Sequence, residues 1–240
     1  MNKISLFLVS LSVLIAAAIF TEGQTPRVVA AIKRIPTKGN STKDFAPNGW
    51  EIYSEAKGDL NGDGLDDVAL TLTLPLNVAE KLRDVTGDNY EAAPSIIVIL
   101  FAVRGGGYTL YGINGRLYPA DSDYRSYLDN KIEKGVLVIN TNWGDGWAND
   151  ITYRFRYDKL AGRMMLIGFD HEHYDRASIY EGHKSSENYL TGLRIDYAKS
   201  LNRKSSAYSE TLRTKLKNAA VPFEEARLTE DPDNDDYRPY

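Results

Sequence analysis

The sequence predicts a mainly β protein, an antiparallel meander or sandwich-like sheet with one or two short helices. Three observations predict it. Val68-Ala69-Leu70-Thr71-Leu72-Thr73-Leu74 alternates apolar residues with Thr in the period of a half-buried strand. Further strand-like segments follow in close succession through Gly or Asp turns, the pattern of an antiparallel sheet rather than of βα units. The 16 Tyr suit a pleated, half-buried surface.

Taken in order, the chain opens with the basic Met1-Asn2-Lys3 and an apolar run from Ile4 to Phe20, which reads as a secretory signal peptide over 1–23. A membrane anchor is the alternative for a run of this length. The small residues of Thr21-Glu22-Gly23 predict cleavage before Gln24, with Ala16-Ala17-Ala18 as an earlier match. The chain has no Cys, which excludes a lipidated N-terminus, and an exported domain with a large core needs no disulfide. The expected localisation is therefore periplasmic or secreted. With 33 acidic against 29 basic residues, the net charge of −4 favours neither nucleic acid nor an anionic membrane, and no span is expected once the signal is removed.

Residues 24–48 read as a lead-in segment, with a short strand at Val28–Ile32 and a loop over Pro36–Lys43. Asn40-Ser41-Thr42 fits a glycosylation sequon, which the bacterial style of the signal makes a chance match. One β-rich domain is expected over 49–225, since some 215 residues suffice for a single sizeable core. Within it, Trp50–Tyr53 alternates as a strand, and Ser95–Val103 is a continuous apolar run, as in a strand buried on both faces. Gly105-Gly106-Gly107 turns the chain back into Tyr108–Gly112. Strands are expected at Gly135–Thr141, Asp150–Tyr157 and Met164–Asp170, with an edge strand at Leu190–Tyr197. Helical spacing marks Asn77–Val85 and Ser209–Ala219. The acidic, Pro-containing end over 226–240 is expected to be disordered.

The stretch Gly58-Asp59-Leu60-Asn61-Gly62-Asp63-Gly64-Leu65-Asp66-Asp67 carries the most specific chemistry. Asp59, Asn61 and Asp63 place oxygens at alternate positions, Gly64 permits a sharp turn, and Asp67 returns a carboxylate to the same centre. A hard cation takes six to eight oxygens, so these four side chains, the Leu65 carbonyl and water form a calcium cage. An Asp/Asn/Gly-rich turn without metal is the alternative. The twelfth position from Asp59 is Leu70, inside a strand, where an EF-hand has a bidentate Glu on a helix.

Asp59-x-Asn61-x-Asp63-Gly64-x-x-Asp67 followed by an apolar strand resembles the calcium loop of FG-GAP and VCBS-type repeats, found in integrin α-subunit propellers and exported bacterial proteins. The resemblance covers residues 50 to 75. It implies one structural Ca2+ held by the side chains of Asp59, Asn61, Asp63 and Asp67 and the carbonyl of Leu65. Propellers repeat the motif in every blade, and this chain has one clear copy, which speaks against a propeller. Asn140–Asp150 has the wrong spacing for a second copy and reads as a hairpin with Trp packing over its turn. The single loop followed by Ser186-Glu187-Asn188-Tyr189-Leu190-Thr191-Gly192 is also similar to small exported proteins of bacteroidete type, a group that implies no activity.

Asp170-His171-Glu172-His173-Tyr174-Asp175 is the other stretch with ligand-type residues. On a strand, His171 and His173 share a face and are placed to hold zinc with His183 or Asp175; exposed polar residues at a strand end or hairpin tip are the simpler reading. Glu51, Asp145 and Asp150 are available as paired carboxylates, but nothing selects them over other acids, and no nucleophile elbow, P-loop or dinucleotide fingerprint is present. Trp143, Trp147, Tyr153 and Tyr157 are read as core and hairpin packing, with an interface anchor as the alternative. These readings predict an exported calcium-binding protein with a non-catalytic binding or envelope role and an unspecified protein or glycan partner. A periplasmic hydrolase, or an inhibitor or immunity protein for an exported enzyme, is the rival.

Overall fold

The apolar runs over 68–74 and 95–103 become inner strands of the smaller sheet. A computed structural model describes residues 26–75, 77–78, 94–118, 127–144, 146–177, 182–199, 208–216, 219–231 and 236–239. Its first half comprises α1 (Pro26–Ile32), β1 (Lys38–Gly39), a 3-10 turn (Thr42–Phe45), β2 (Glu51–Gly58), β3 (Asp67–Thr73), β4 (Ser95–Ala102) and β5 (Tyr108–Asn114). Then follow β6 (Tyr127–Glu133), β7 (Val136–Trp143), β8 (Trp147–Asp158), β9 (Arg163–Asp175) and β10 (Gly182–Asn188). The last are β11 (Leu193–Lys199), β12 (Tyr208–Lys215), β13 (Leu228–Asp231) and β14 (Asp236–Pro239).

These strands build two packed antiparallel sheets and a hairpin. The smaller sheet runs β1-β5-β4-β3-β2, the larger is the uninterrupted meander β12-β11-β10-β9-β8-β7-β6, and β13 pairs with β14. The expected mainly β, antiparallel architecture is therefore observed. One core fills the space between the sheets: Ala69, Ile97 and Ile99 of the smaller sheet meet Ile139, Tyr153, Phe155 and Phe169 of the larger. Burying aromatic and branched side chains on both inner faces is what drives two sheets together. A second core covers the other face of the smaller sheet, where Val28, Ala31, Ile35 and Phe45 pack on Val68, Leu70, Leu72, Ile96, Val98 and Leu100.

That second layer changes several expectations. Val28–Ile32 is helical rather than extended, because Val28 and Ala31, three residues apart, present one stripe to the sheet. β3, expected to be half buried, is buried at all seven positions, since its Ala69 and Thr71 face lies under β6, whose Asn130 amide donates to the Ala69 carbonyl. Tyr208–Lys215 is a strand, where helical spacing predicted Ser209–Ala219 to be a helix; it covers the open edge of β11 and leaves Leu212 half exposed. β11 is accordingly internal to the sheet and not its edge.

Within the C-terminal stretch, expected to be disordered over 226–240, the described residues include the paired strands β13 and β14 over Leu228–Asp231 and Asp236–Pro239, and Ala226 is fully buried. Just before them, Phe223 enters the inter-sheet core against Phe155 at 5.3 Å, and Asn114 Nδ2 donates to the carbonyls of Phe223 and Ala226. Local composition there is acidic, but the apolar anchors Phe223, Ala226 and Tyr237 outweigh it. The helix expected at Asn77–Val85 and the segment over 1–23 lie outside the described residues, save for Asn77 and Val78.

Candidate functional site

The loop between β2 and β3 is closed at its base by the Gly58–Asp67 pair of the ladder. Its side chains fold it from within. Asp59 Oδ1 accepts the N–H groups of Gly62 at 2.7 Å and Asp63 at 3.2 Å, and its Oδ2 accepts that of Gly64 at 2.9 Å. Asn61 Oδ1 accepts the Asp63 N–H and Asp63 Oδ1 the Leu65 N–H, each at 2.9 Å. Short side chains two residues before a free amide close such turns readily. Gly62 and Gly64 carry the left-handed backbone, with φ of 79° and 83°.

Asp67 roots the loop in the sandwich. Fully buried, it accepts the N–H groups of Leu60 at 2.9 Å and Asn61 at 3.3 Å on Oδ2, and of Ala102 at 2.9 Å on Oδ1. Burial pushes its carboxyl above the ordinary range, opposed by those three amides, while the charge of Asp63 adds to the rise. Asp59 moves the other way: the Gly64 amide holds its carboxyl below the ordinary range, helped by the Gly62 and Asp63 amides and by Lys159. The larger sheet reaches the loop from two turns. A Cβ on Gly62 would stand 2.5 Å from Lys159 Nζ, and one on Gly135 would stand 3.5 Å from the Asp59 carbonyl.

Whether these residues suit a cation is a question of spare lone pairs. Among the described residues, no three His, Cys, Asp or Glu side chains stand gathered as a ready metal cage, because the loop's oxygens are turned toward its own amides. Each carboxylate offers about four acceptor sites and each amide oxygen two. Asp59 and Asp67 each spend three on amides, and Asn61 and Asp63 one apiece, so all four side chains keep an oxygen site for a cation. The donor chemistry, all hard oxygen, fits calcium.

The second cluster holds every histidine of the chain. β9 and β10 place His171, His173 and His183 on the inner face of the larger sheet, with ring centroids 5.3 to 6.4 Å apart. His171 is fully buried, which corrects the expectation of exposed residues at a strand end: β9 continues through Asp175, and the C-terminal hairpin covers this part of it. Asn149 Oδ1 sits 2.9 Å from both His171 Nε2 and His173 Nδ1, and the Tyr237 N–H donates to His171 Nδ1 at 3.4 Å. That amide makes Nδ1 the acceptor, so Nε2 carries the proton and donates to Asn149. A zinc ion at Nε2 would need the opposite tautomer, with an N–H facing the Tyr237 amide. In this tautomer His171 Nε2 keeps no lone pair for a metal ion.

The remaining expectations fall out separately. Asp175 is engaged with the Ala177 N–H at 2.8 Å. Glu51 lies exposed on β2, Asp150 accepts from Asn140 and Asn142 on the outer face of the larger sheet, and Asp145 lies outside the described residues. Trp143 and Tyr153 are core residues, whereas Trp147 is 46% exposed and stacks flat on His173 at 4.9 Å. Asn149, Tyr237 and Lys159 are the site residues that sequence reasoning missed. No family model, curated protein or solved structure matches this chain.

Proposed function

We propose that this is an exported calcium-binding β-sandwich protein with a non-catalytic binding or envelope role, its loop of the FG-GAP and VCBS kind. The observation that carries the reading is the loop itself. Asp59, Asn61, Asp63 and Asp67 are preorganised by backbone amides, and each keeps an acceptor site for an ion. Calcium would be held by those four side chains with the Leu65 carbonyl, and it would supply positive charge to three carboxylates that otherwise repel. Because Lys159 and Gly135 bring turns of the larger sheet against the loop, ion binding would tie the two sheets at this end. Export rests on the signal-like residues 1–23, and a protein or glycan partner on surface aromatics such as Tyr53 and Trp147.

Isothermal titration calorimetry on chelator-treated protein, from Gln24 onward, tests the ion. The expected result is one calcium site, weakened at least tenfold by Asp63→Ala, with magnesium binding poorly because it demands a tighter octahedral shell. Absence of calcium heat with the protein folded would overturn the reading.

A further inference from the structure

We infer that Asn48-Gly49 is a self-modification site, where the side-chain amide of Asn48 is lost without an enzyme and aspartate or isoaspartate takes its place. The chain carries three Asn-Gly pairs, Asn48-Gly49, Asn61-Gly62 and Asn114-Gly115. Such a pair is reactive because glycine has no Cβ to crowd its own nitrogen as that nitrogen approaches the preceding side chain. The Gly49 nitrogen bonds to Asn48 Cγ, the Cγ–Nδ2 bond breaks, and ammonia leaves with the proton that the Gly49 nitrogen gives up. Water then opens the resulting succinimide ring, at Cγ to give aspartate or at the main-chain carbonyl carbon to give isoaspartate.

The fold treats the three pairs differently. Asn114 is buried, its Nδ2 donates to the Phe223 and Ala226 carbonyls, and its Oδ1 accepts the Arg116 N–H. At Asn61 both reacting groups are held: Oδ1 accepts the Asp63 N–H at 2.9 Å, and the Gly62 N–H donates to Asp59 Oδ1 at 2.7 Å. Asn48 and Gly49 instead lie exposed at the tip of a turn that the Trp50 N–H closes onto the Pro47 carbonyl at 2.9 Å. Among the described residues, no hydrogen bond engages the Asn48 side chain or the Gly49 N–H. Gly49 has φ of 86°, and nothing lies within 4 Å of where a Cβ would stand, so the ring has room to close.

The turn is rooted on both sides, so the modification acts locally. Pro47 is buried at its base, and Trp50 packs against the second core, on the face of the smaller sheet that α1 covers. β2 begins one residue later, with Glu51 opposite Thr73. Aspartate adds a charge and keeps the backbone as it was. Isoaspartate adds one main-chain carbon between Pro47 and Trp50, which breaks the hydrogen bond that closes the turn and loosens the entry to β2. None of these residues belongs to the loop over 59–67, so the inference stands or falls independently of calcium.

Incubating the chain from Gln24 onward in chelator at mildly alkaline pH, folded and in urea, tests this. Peptide mapping by mass spectrometry follows each Asn-Gly pair, and chromatography separates aspartate from isoaspartate. In the folded protein Asn48 should convert first, about a hundredfold faster than Asn114 and at least about fivefold faster than Asn61, because each hydrogen bond that must open lowers the reactive population about fivefold. In urea the three rates should converge, since the ranking comes from the fold and not from the dipeptide. Asn48→Gln, whose longer side chain closes its ring far more slowly, should keep the turn and lose the fast conversion. Asn61 or Asn114 converting as fast as Asn48 in the folded protein would overturn the inference. So would an Asn48 rate in the folded protein below about a tenth of its rate in urea, which would mean that the turn protects it.

Discussion

Asn114→Ala tests how firmly the C-terminal segment belongs to the fold. Asn114 is 2% exposed at the end of β5, and its Nδ2 donates to the Phe223 and Ala226 carbonyls while its Oδ1 accepts the Arg116 N–H at 2.7 Å. Alanine removes the partner of three backbone groups at once. A hydrogen bond contributes about 1 kcal/mol net, and a buried group left unpaired costs about 1 to 3 kcal/mol, so the loss should total about 3 to 5 kcal/mol. Asn114→Asp keeps the shape but sets carboxylate oxygen against two carbonyls, and should lose at least as much. Urea unfolding followed by circular dichroism gives the free energy, and limited proteolysis shows whether the chain after Val221 becomes the first cleaved. A loss below about 1 kcal/mol, with no new cleavage near the C-terminus, would refute the claim that Asn114 anchors this segment.

Three further outcomes are expected. Gly144→Ala should prevent the β7–β8 turn from closing, because φ is 104° there and a Cβ would overlap the Trp147 carbonyl; the readout is loss of soluble folded protein or a stability drop of about 3 kcal/mol or more. Gly64→Ala, with φ of 83° and open space around it, should cost only the left-handed backbone penalty of about 1 to 2 kcal/mol by thermal unfolding in chelator. Asp67 gives a pH signature. Its folded carboxyl lies above the ordinary range, so in chelator its contribution is fully present below the unfolded value and is lost as pH rises through the folded one. Asp67→Asn should flatten that part of the urea-midpoint profile, and an unchanged slope would refute the assignment.

What could be read from sequence was what short-range spacing encodes. The loop was legible because Asp59, Asn61, Asp63 and Asp67 all lie within one turn, and the same locality made the Gly105–Gly107 hairpin and the β4 apolar run readable. Partners distant in sequence decided the rest. Val28-Val29 favours a strand by itself, and only the uncovered face of β3 and β4 makes the helix preferable. Leu212 and Leu216 have helical spacing, but the free edge of β11 takes the segment as a strand. The acidic C-terminal end looks unable to fold until Phe223, Ala226 and Tyr237 are seen filling positions made by β7, β8 and β9. The histidines were visible as a same-face pair, yet their burial depends on Tyr237, 66 residues away in sequence.

In the proposed reading, a bound cation completes the loop over 59–67. Scanning calorimetry with calcium and with chelator tests it most directly. A ligand bound only by the native state adds about 2.7 kcal/mol at a hundredfold excess over its Kd, which corresponds to a Tm rise of about 5 to 10 °C for a domain of this size. The predicted result is that rise in the wild type and its loss in Asp63→Ala, the variant still folding cooperatively in chelator. An identical Tm with calcium and with chelator would contradict the claim and leave the loop as a turn closed by its own amides.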